Sequence, residues 1–164
     1  MRLGLFGGTF DPIHFGHLRS ALEVAEAFAL DEVRFIPCGV PLHRSSPPGA
    51  AAHHRLEMVR LAVADTPGLS VSDVEVVRRG ASYSIDTVRE FLAGAAPSDD
   101  LYLILGLDAF SLVGSWKDWR ELLALTHVIV TSRPGFGDKL CYEELPVVVR
   151  EAFCYDPVRS GFRN

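Results

Sequence analysis

The stretch Met1-Arg2-Leu3-Gly4-Leu5-Phe6-Gly7-Gly8-Thr9-Phe10-Asp11-Pro12-Ile13-His14-Phe15-Gly16-His17 decides the fold. A short apolar strand, about Leu3 to Phe6, runs into a glycine turn. A helix then begins near Gly16, with Leu18, Ala21, Leu22, Ala25 and Phe28 as its apolar stripe. Strand, glycine turn and helix start together make an anion site, because backbone N–H groups and the positive end of the helix dipole converge there. His14 and His17 aim two imidazoles at the same spot. A histidine at a helix start is ordinarily a cap or a surface group. The preceding Gly-Gly-Thr-Phe-Asp-Pro favours a phosphate-binding pair, since an imidazole near neutrality can donate to a phosphate oxygen.

Beyond this opening, apolar strands alternate with helical patterns, which predicts a parallel sheet with helices on both faces. A strand is expected at Glu32 to Pro37, a helix at Ala51 to Ala64 and a strand at Leu69 to Val77. Ser84 is expected to cap a helix at Ile85 to Ala93. The continuous run Leu101 to Leu105 predicts a central strand. Trp116 to Leu125 reads as helical, with Trp116 and Trp119 on one face, and His127 to Thr131 as a further strand. Val147 to Phe153 suits either helix or strand. The GxGxxG fingerprint of dinucleotide-binding turns is missing.

Composition narrows the classes of function. With 164 residues the chain suffices for one domain with a core, and 48% hydrophobic residues are ordinary for a globular protein. A net charge of −5 argues against general nucleic-acid binding, which depends on neutralising phosphates. The three cysteines, Cys38, Cys141 and Cys154, lack CxxC spacing, so a disulfide framework or zinc site is not expected, and a cytoplasmic location is. No apolar run reaches membrane-spanning length.

Ligands of open α/β sheets lie outside the carboxyl ends of the strands. There the sequence delivers Gly7 to His17, then Pro37 to Arg44, then Gly106 and Asp108, then Thr131 to Pro134. Asp108 reads equally as a helix cap. Trp116 and Trp119 read as core, or as a stacking plate at a pocket mouth. Arg44 and Arg133 read as solvated side chains or as anion clamps, the latter favoured for Arg133 by its place at a strand end.

The block Gly7 to His17 resembles the signature of the HxGH nucleotidyltransferase superfamily. Pro41-Leu42-His43-Arg44, His54-Arg55-Leu56-Glu57-Met58, Tyr83-Ser84-Ile85-Asp86-Thr87, Gly106-Leu107-Asp108, Trp116 and Arg133-Pro134-Gly135 resemble, in order, blocks of bacterial nicotinate-nucleotide adenylyltransferases. The resemblance covers roughly residues 1 to 136 and implies one Rossmann-like nucleotidyltransferase domain over residues 1–164. It implies transfer of the adenylyl group of ATP to nicotinate mononucleotide, with Mg²⁺ and release of pyrophosphate, in NAD biosynthesis. By the same resemblance His14 and His17 are catalytic. Gly7, Gly8, Thr9, Phe10, Gly16, Gly106 and Asp108 bind ATP, and Arg44, Ser84, Trp116 and Arg133 bind the nicotinate nucleotide. Homo-oligomers are a family tendency. The alternatives are a sister enzyme acting on nicotinamide mononucleotide or phosphopantetheine, and a non-catalytic nucleotide-binding remnant.

Two departures stand out. The stretch Cys38-Gly39-Val40 lacks the polar amide the family carries before its PPHK/R loop, and Leu42 replaces the loop's second proline. The late ISSTxIR phosphate-binding motif is also missing, which leads one to expect a C-terminally truncated domain that binds ATP weakly or not at all. A longer version of the chain should then rescue ATP turnover; full activity of these 164 residues would refute that expectation.

Overall fold

The computed structural model describes residues 1–41, 47–131, 147–152, 154–156 and 161–163. Five parallel strands form the sheet, in the order β3-β2-β1-β4-β5. They are β1 (Arg2–Gly8), β2 (Glu32–Pro37), β3 (Leu69–Val71), β4 (Asp100–Gly106) and β5 (His127–Thr131). Strand β1 pairs with β2 on one side and β4 on the other, in registers that set Gly8 opposite Pro37 and Phe6 opposite Ile104. A separate antiparallel hairpin joins β6 (Cys154–Asp156) to β7 (Gly161–Arg163).

The two-residue period of the strands divides the core into two layers. Leu3, Leu5, Leu101, Leu103 and Leu105 point to one face. There they meet Val74 of α3 (Val74–Val77), Ile85 and Val88 of α4 (Ser84–Ala93), Phe110 of α5 (Leu107–Phe110), and Leu122 and Leu123 of α6 (Trp119–Leu125). Val149 of α7 (Val147–Ala152) joins the same layer, which settles that segment as helix. Phe6, Tyr102 and Ile104 point to the opposite face. They pack on Ala21 and Val24 of α1 (Phe15–Ala27) and Val59 and Val63 of α2 (Ala52–Val63). Both faces of the sheet are therefore covered, as a buried parallel sheet requires.

Three local expectations are corrected. The strand expected over Leu69 to Val77 stops at Val71. Ser72 Oγ accepts from the Val74 N–H, the Asp73 carbonyl accepts from the Val76 and Val77 N–H groups, and the chain turns into α3. The helical turn buries the neighbours Val74 and Glu75 together, which a strand would send to opposite faces. Ser84 is the first residue of α4 and not its cap; Tyr83 holds the cap position. Trp116 ends a short 3-10 turn, Val113–Ser115, and lies outside α6, so Trp116 and Trp119 do not share a helical face.

The largest fully buried side chain is charged. Arg55, 1% exposed, falls on the apolar stripe of α2 beside Leu56 and Val59. Its guanidinium donates to the carbonyls of Thr9 at 2.5 Å, Cys38 at 2.7 Å, Gly39 at 3.2 Å and Ala50 at 3.2 Å. One cation thus joins the ends of β1 and β2 to the entry of α2. Truncation leaves those acceptors buried without their donor. Arg55→Leu is expected to cost about 3–5 kcal/mol in urea unfolding; a loss below about 1 kcal/mol would refute this role.

Candidate active site

The strand order places the topological switch between β1 and β4, where connections leave in opposite directions. Both strands end there in glycine: Gly7 and Gly8 on β1, Gly106 on β4. A Cβ added at Gly7 or Gly106 would meet no atom within 4 Å. The strand ends form an open, side-chain-free floor, against which a ligand can lie close to backbone.

Helix α1 opens over this floor with His14 at its cap position and no acidic residue in its first turn. The turn into it passes through Phe10, whose φ of 47° is left-handed and costly for a bulky residue. Burial of the ring offsets that cost. Phe10 is 3% exposed and packs edge-on against Phe35 and His17, with centroids 5.4 and 5.1 Å apart. The Phe10 side chain therefore backs the site from the core.

The two imidazoles stack, with centroids 3.7 Å apart and planes 25° from parallel. The His14 backbone N–H donates to His17 Nδ1 at 3.2 Å. Nδ1 is thereby an acceptor, and the proton of neutral His17 sits on Nε2. Gly16 eases this pairing: a Cβ there would stand 3.1 Å from the His14 ring, closer than an ordinary contact. The spacing of the motif thus has a steric cause.

Asp11 holds the far side of the loop after β2. Its carboxylate accepts from the N–H groups of Gly49 at 2.7 Å and Ala50 at 3.2 Å, just ahead of α2. At the near side, the Cys38 N–H donates to the Gly8 carbonyl at 2.9 Å. The Cys38 thiol donates to Thr9 Oγ1 at 3.8 Å, and burial pushes its pKa up, against the pull of Thr9 and Arg55. A thiol kept protonated is a packing group here and not a nucleophile.

From Gly39 the structure runs directly to α4. The Gly39 and Val40 N–H groups donate to Ser82 Oγ at 3.0 and 3.3 Å. The Ser82 hydroxyl also bonds the buried Glu75 carboxyl, to which Thr87 Oγ1 donates at 2.7 Å. Burial pushes the Glu75 carboxyl above the ordinary range, while Thr87, Ser82 and Arg78 pull it back. A Cβ at Gly39 would approach the Glu75 carbonyl to 2.2 Å, so no side chain fits there. At position 39 an amide side chain is excluded by packing.

Ser84 opens α4 half-buried, and Tyr83 and Trp116 border the same core layer. Trp119 is core, 8% exposed, while Trp116 is partly buried and packs against the same layer. Asp108 lies exposed in the first turn of α5, with Gly106 as the cap. Arg44 and Arg133 lie outside the described residues.

Comparison with known proteins agrees with this layout. The cytidylyltransferase-like family model matches residues 5–161. A Citrifermentans bemidjiense protein named "Probable nicotinate-nucleotide adenylyltransferase" is 49% identical over 164 residues, covering 100% of this chain and 76% of that protein. A protein of the same name from Desulfatibacillum aliphaticivorans is 46% identical over 151 residues, covering 92% and 68%. The chain belongs to the nicotinate-nucleotide adenylyltransferase family. The fold is also that of the Plasmodium falciparum nicotinic acid mononucleotide adenylyltransferase solved with NaAD. That match has a TM-score of 0.67 and 20% identity, over 88% of this chain and 71% of the other. Among the described residues, no helix is long and apolar enough to cross a membrane.

Within this family member, the structure brings Gly7, Gly8, Thr9, His14, Gly16, His17, Gly106 and Asp108 to the switch, and Ser84 and Trp116 to the α4 side. Sequence reading assigned no role to Arg55, Asp11 or Glu75. Arg55 left a signal as a charge on an apolar helical stripe, and Asp11 as part of the Gly7–His17 block. Gly16→Ala separates stability from chemistry. Alanine favours helix by up to about 1 kcal/mol over glycine, yet its Cβ presses on the His14 ring. Thermal unfolding should show an unchanged or higher Tm, while pyrophosphate release falls at least about tenfold; undiminished release would refute the steric reading of the motif.

Proposed function

We propose that this chain transfers the adenylyl group of ATP to nicotinate mononucleotide, releasing pyrophosphate and forming nicotinate adenine dinucleotide. Family membership supports the reaction, and one observation carries its placement: the open glycine floor under the stacked His14–His17 pair at the start of α1. In this reading the mononucleotide phosphate oxygen attacks the α-phosphorus of ATP in line as the bond to the pyrophosphate oxygen breaks. No covalent enzyme intermediate forms. Catalysis rests on orientation and on donors aimed at the charge that builds on the phosphates.

His17 is suited to that task because its acceptor nitrogen is committed to the helix cap, which leaves Nε2–H as the donor. His14, exposed at the N-cap, adds a second imidazole beside the helix dipole. Glycines at 7, 8 and 106 and the Thr9 turn receive the nucleotide against backbone, and Asp108 offers a carboxylate to ribose hydroxyls. Mg²⁺ arrives as the counter-ion of ATP and is part of that substrate. Ser84 and Trp116 serve the nicotinate, Trp116 by stacking. Arg44 and Arg133 serve substrate phosphate, and the setting is cytoplasmic.

The test is pyrophosphate release with MgATP at high concentration and, in parallel, nicotinate mononucleotide, nicotinamide mononucleotide or phosphopantetheine. Release is expected with the first acceptor in clear excess. Release with another acceptor instead, or with none, would overturn the proposal. His17→Ala is expected to lower kcat by about 10²–10³-fold, the scale of losing one transition-state donor; full turnover would remove His17 from the mechanism.

A further inference from the structure

The segment carrying Trp116 is tied to the first turns of α4 by a set of ion pairs that helix stability does not explain. Lys117 Nζ reaches both Asp86 oxygens, at 3.1 and 3.0 Å, and stands 4.8 Å from the Tyr83 ring centroid. Arg89, one turn along α4, donates through Nε and Nη2 to the two Glu121 oxygens at 2.9 and 2.6 Å. It also reaches Asp118 at 3.2 Å and Asp86 at 3.4 Å. Most of these contacts cross about thirty residues of sequence to one target: the Trp116–Asp118 turn and the start of α6. Asp118 has a left-handed φ of 49°, so the chain is strained where Arg89 grips it.

The groups are 30–47% exposed, and exposed pairs add little to global stability. Their geometric effect is local. On its other side the Trp116 segment is held by the Trp116 N–H donating to the Val113 carbonyl at 3.0 Å, and by packing on the core. The Lys117 side adds an ionic hold on the same turn, from the direction of α4.

We propose that Asp86 is a positioning residue for the acceptor substrate: through Lys117 and Arg89 it sets the Trp116 ring relative to the start of α4. This rests on the reading of Ser84 and Trp116 as the nicotinate side of the site. An aromatic plate held by charges on one helix turn keeps one distance to that turn, so the network selects a planar ring of fixed thickness. The network makes no contact with the His14–His17 end, and ATP handling should be indifferent to it.

The test has two arms. In the first, pyrophosphate release is followed for Asp86→Asn, Lys117→Met and the double variant, varying each substrate in turn. Each single variant is expected to raise KM for nicotinate mononucleotide about tenfold, with kcat and KM for ATP within about twofold of the parent. The double variant should be no worse than the singles, as expected for partners in one interaction. The second arm needs no turnover. With Trp119→Phe, Trp116 is the sole tryptophan of the chain, and Asp86→Asn should increase acrylamide quenching of its fluorescence and shift its emission. Unchanged quenching and unchanged KM would overturn the proposal, as would a uniform loss of kcat and both KM values with a lowered Tm. If Trp119→Phe fails to fold, the KM pattern alone decides. A parent protein without activity on nicotinate mononucleotide would overturn the functional reading, while the quenching arm would still judge the network.

Discussion

The buried guanidinium of Arg55 is the interaction on which the rest of the site depends. An isolated charge in the interior is costly unless its hydrogen bonds are made, and here they are made by four backbone carbonyls, with Cys38 Sγ as a further acceptor. Those carbonyls belong to three segments with no sequence continuity: the turn after β1, the end of β2 and the entry to α2. Backbone acceptors at the carboxyl ends of parallel strands have no further strand partner. Arg55 supplies that partner and fixes the separation of the segments at the same time. Asp11 completes the arrangement with opposite charge, accepting from the N–H groups ahead of α2.

With that frame fixed, the anion end of the site follows from small side chains and one large one. Gly7 and Gly106, near the ends of β1 and β4, leave the floor open. The left-handed Phe10 is the strained element, and it is held because its ring belongs to the core and braces His17 from behind. The imidazole is thus oriented twice, by an edge-on ring and by a hydrogen bond to Nδ1. A donor so constrained needs little reorganisation when charge develops in front of it.

The fold was largely legible in the sequence because its signals are local. Glu32–Pro37 and His127–Thr131 appear where their apolar runs place them. Val74–Val77 failed because a run of valines around a glutamate carries strand propensity, and burial of Glu75 beside Val74 overrides it. The histidine pair was legible for the same local reason. The roles of Arg55, Asp11 and Glu75 were not, since each depends on partners far along the chain that topology alone brings near. The separation of Trp116 from the helix of Trp119 was equally hidden, because it turns on the left-handed Asp118 between them.

Gly39 shows how the two ends of the site are coupled. Its Cβ position is filled by the Glu75 carbonyl and its N–H is committed to Ser82, so the end of β2 offers the acceptor ring no polar side chain at this position. What β2 provides instead is attachment: through Ser82 and Glu75 it fixes the approach to Tyr83 and Ser84. In the proposed reading, recognition of the ring then falls to α4 and to the Trp116 segment tied to it. The anion end is held by buried, nonionic packing and one buried cation, and the ring end by partly exposed ion pairs. The first kind of restraint is insensitive to salt and the second is not. Raised salt should therefore loosen the Trp116 turn before it disturbs the His14–His17 end.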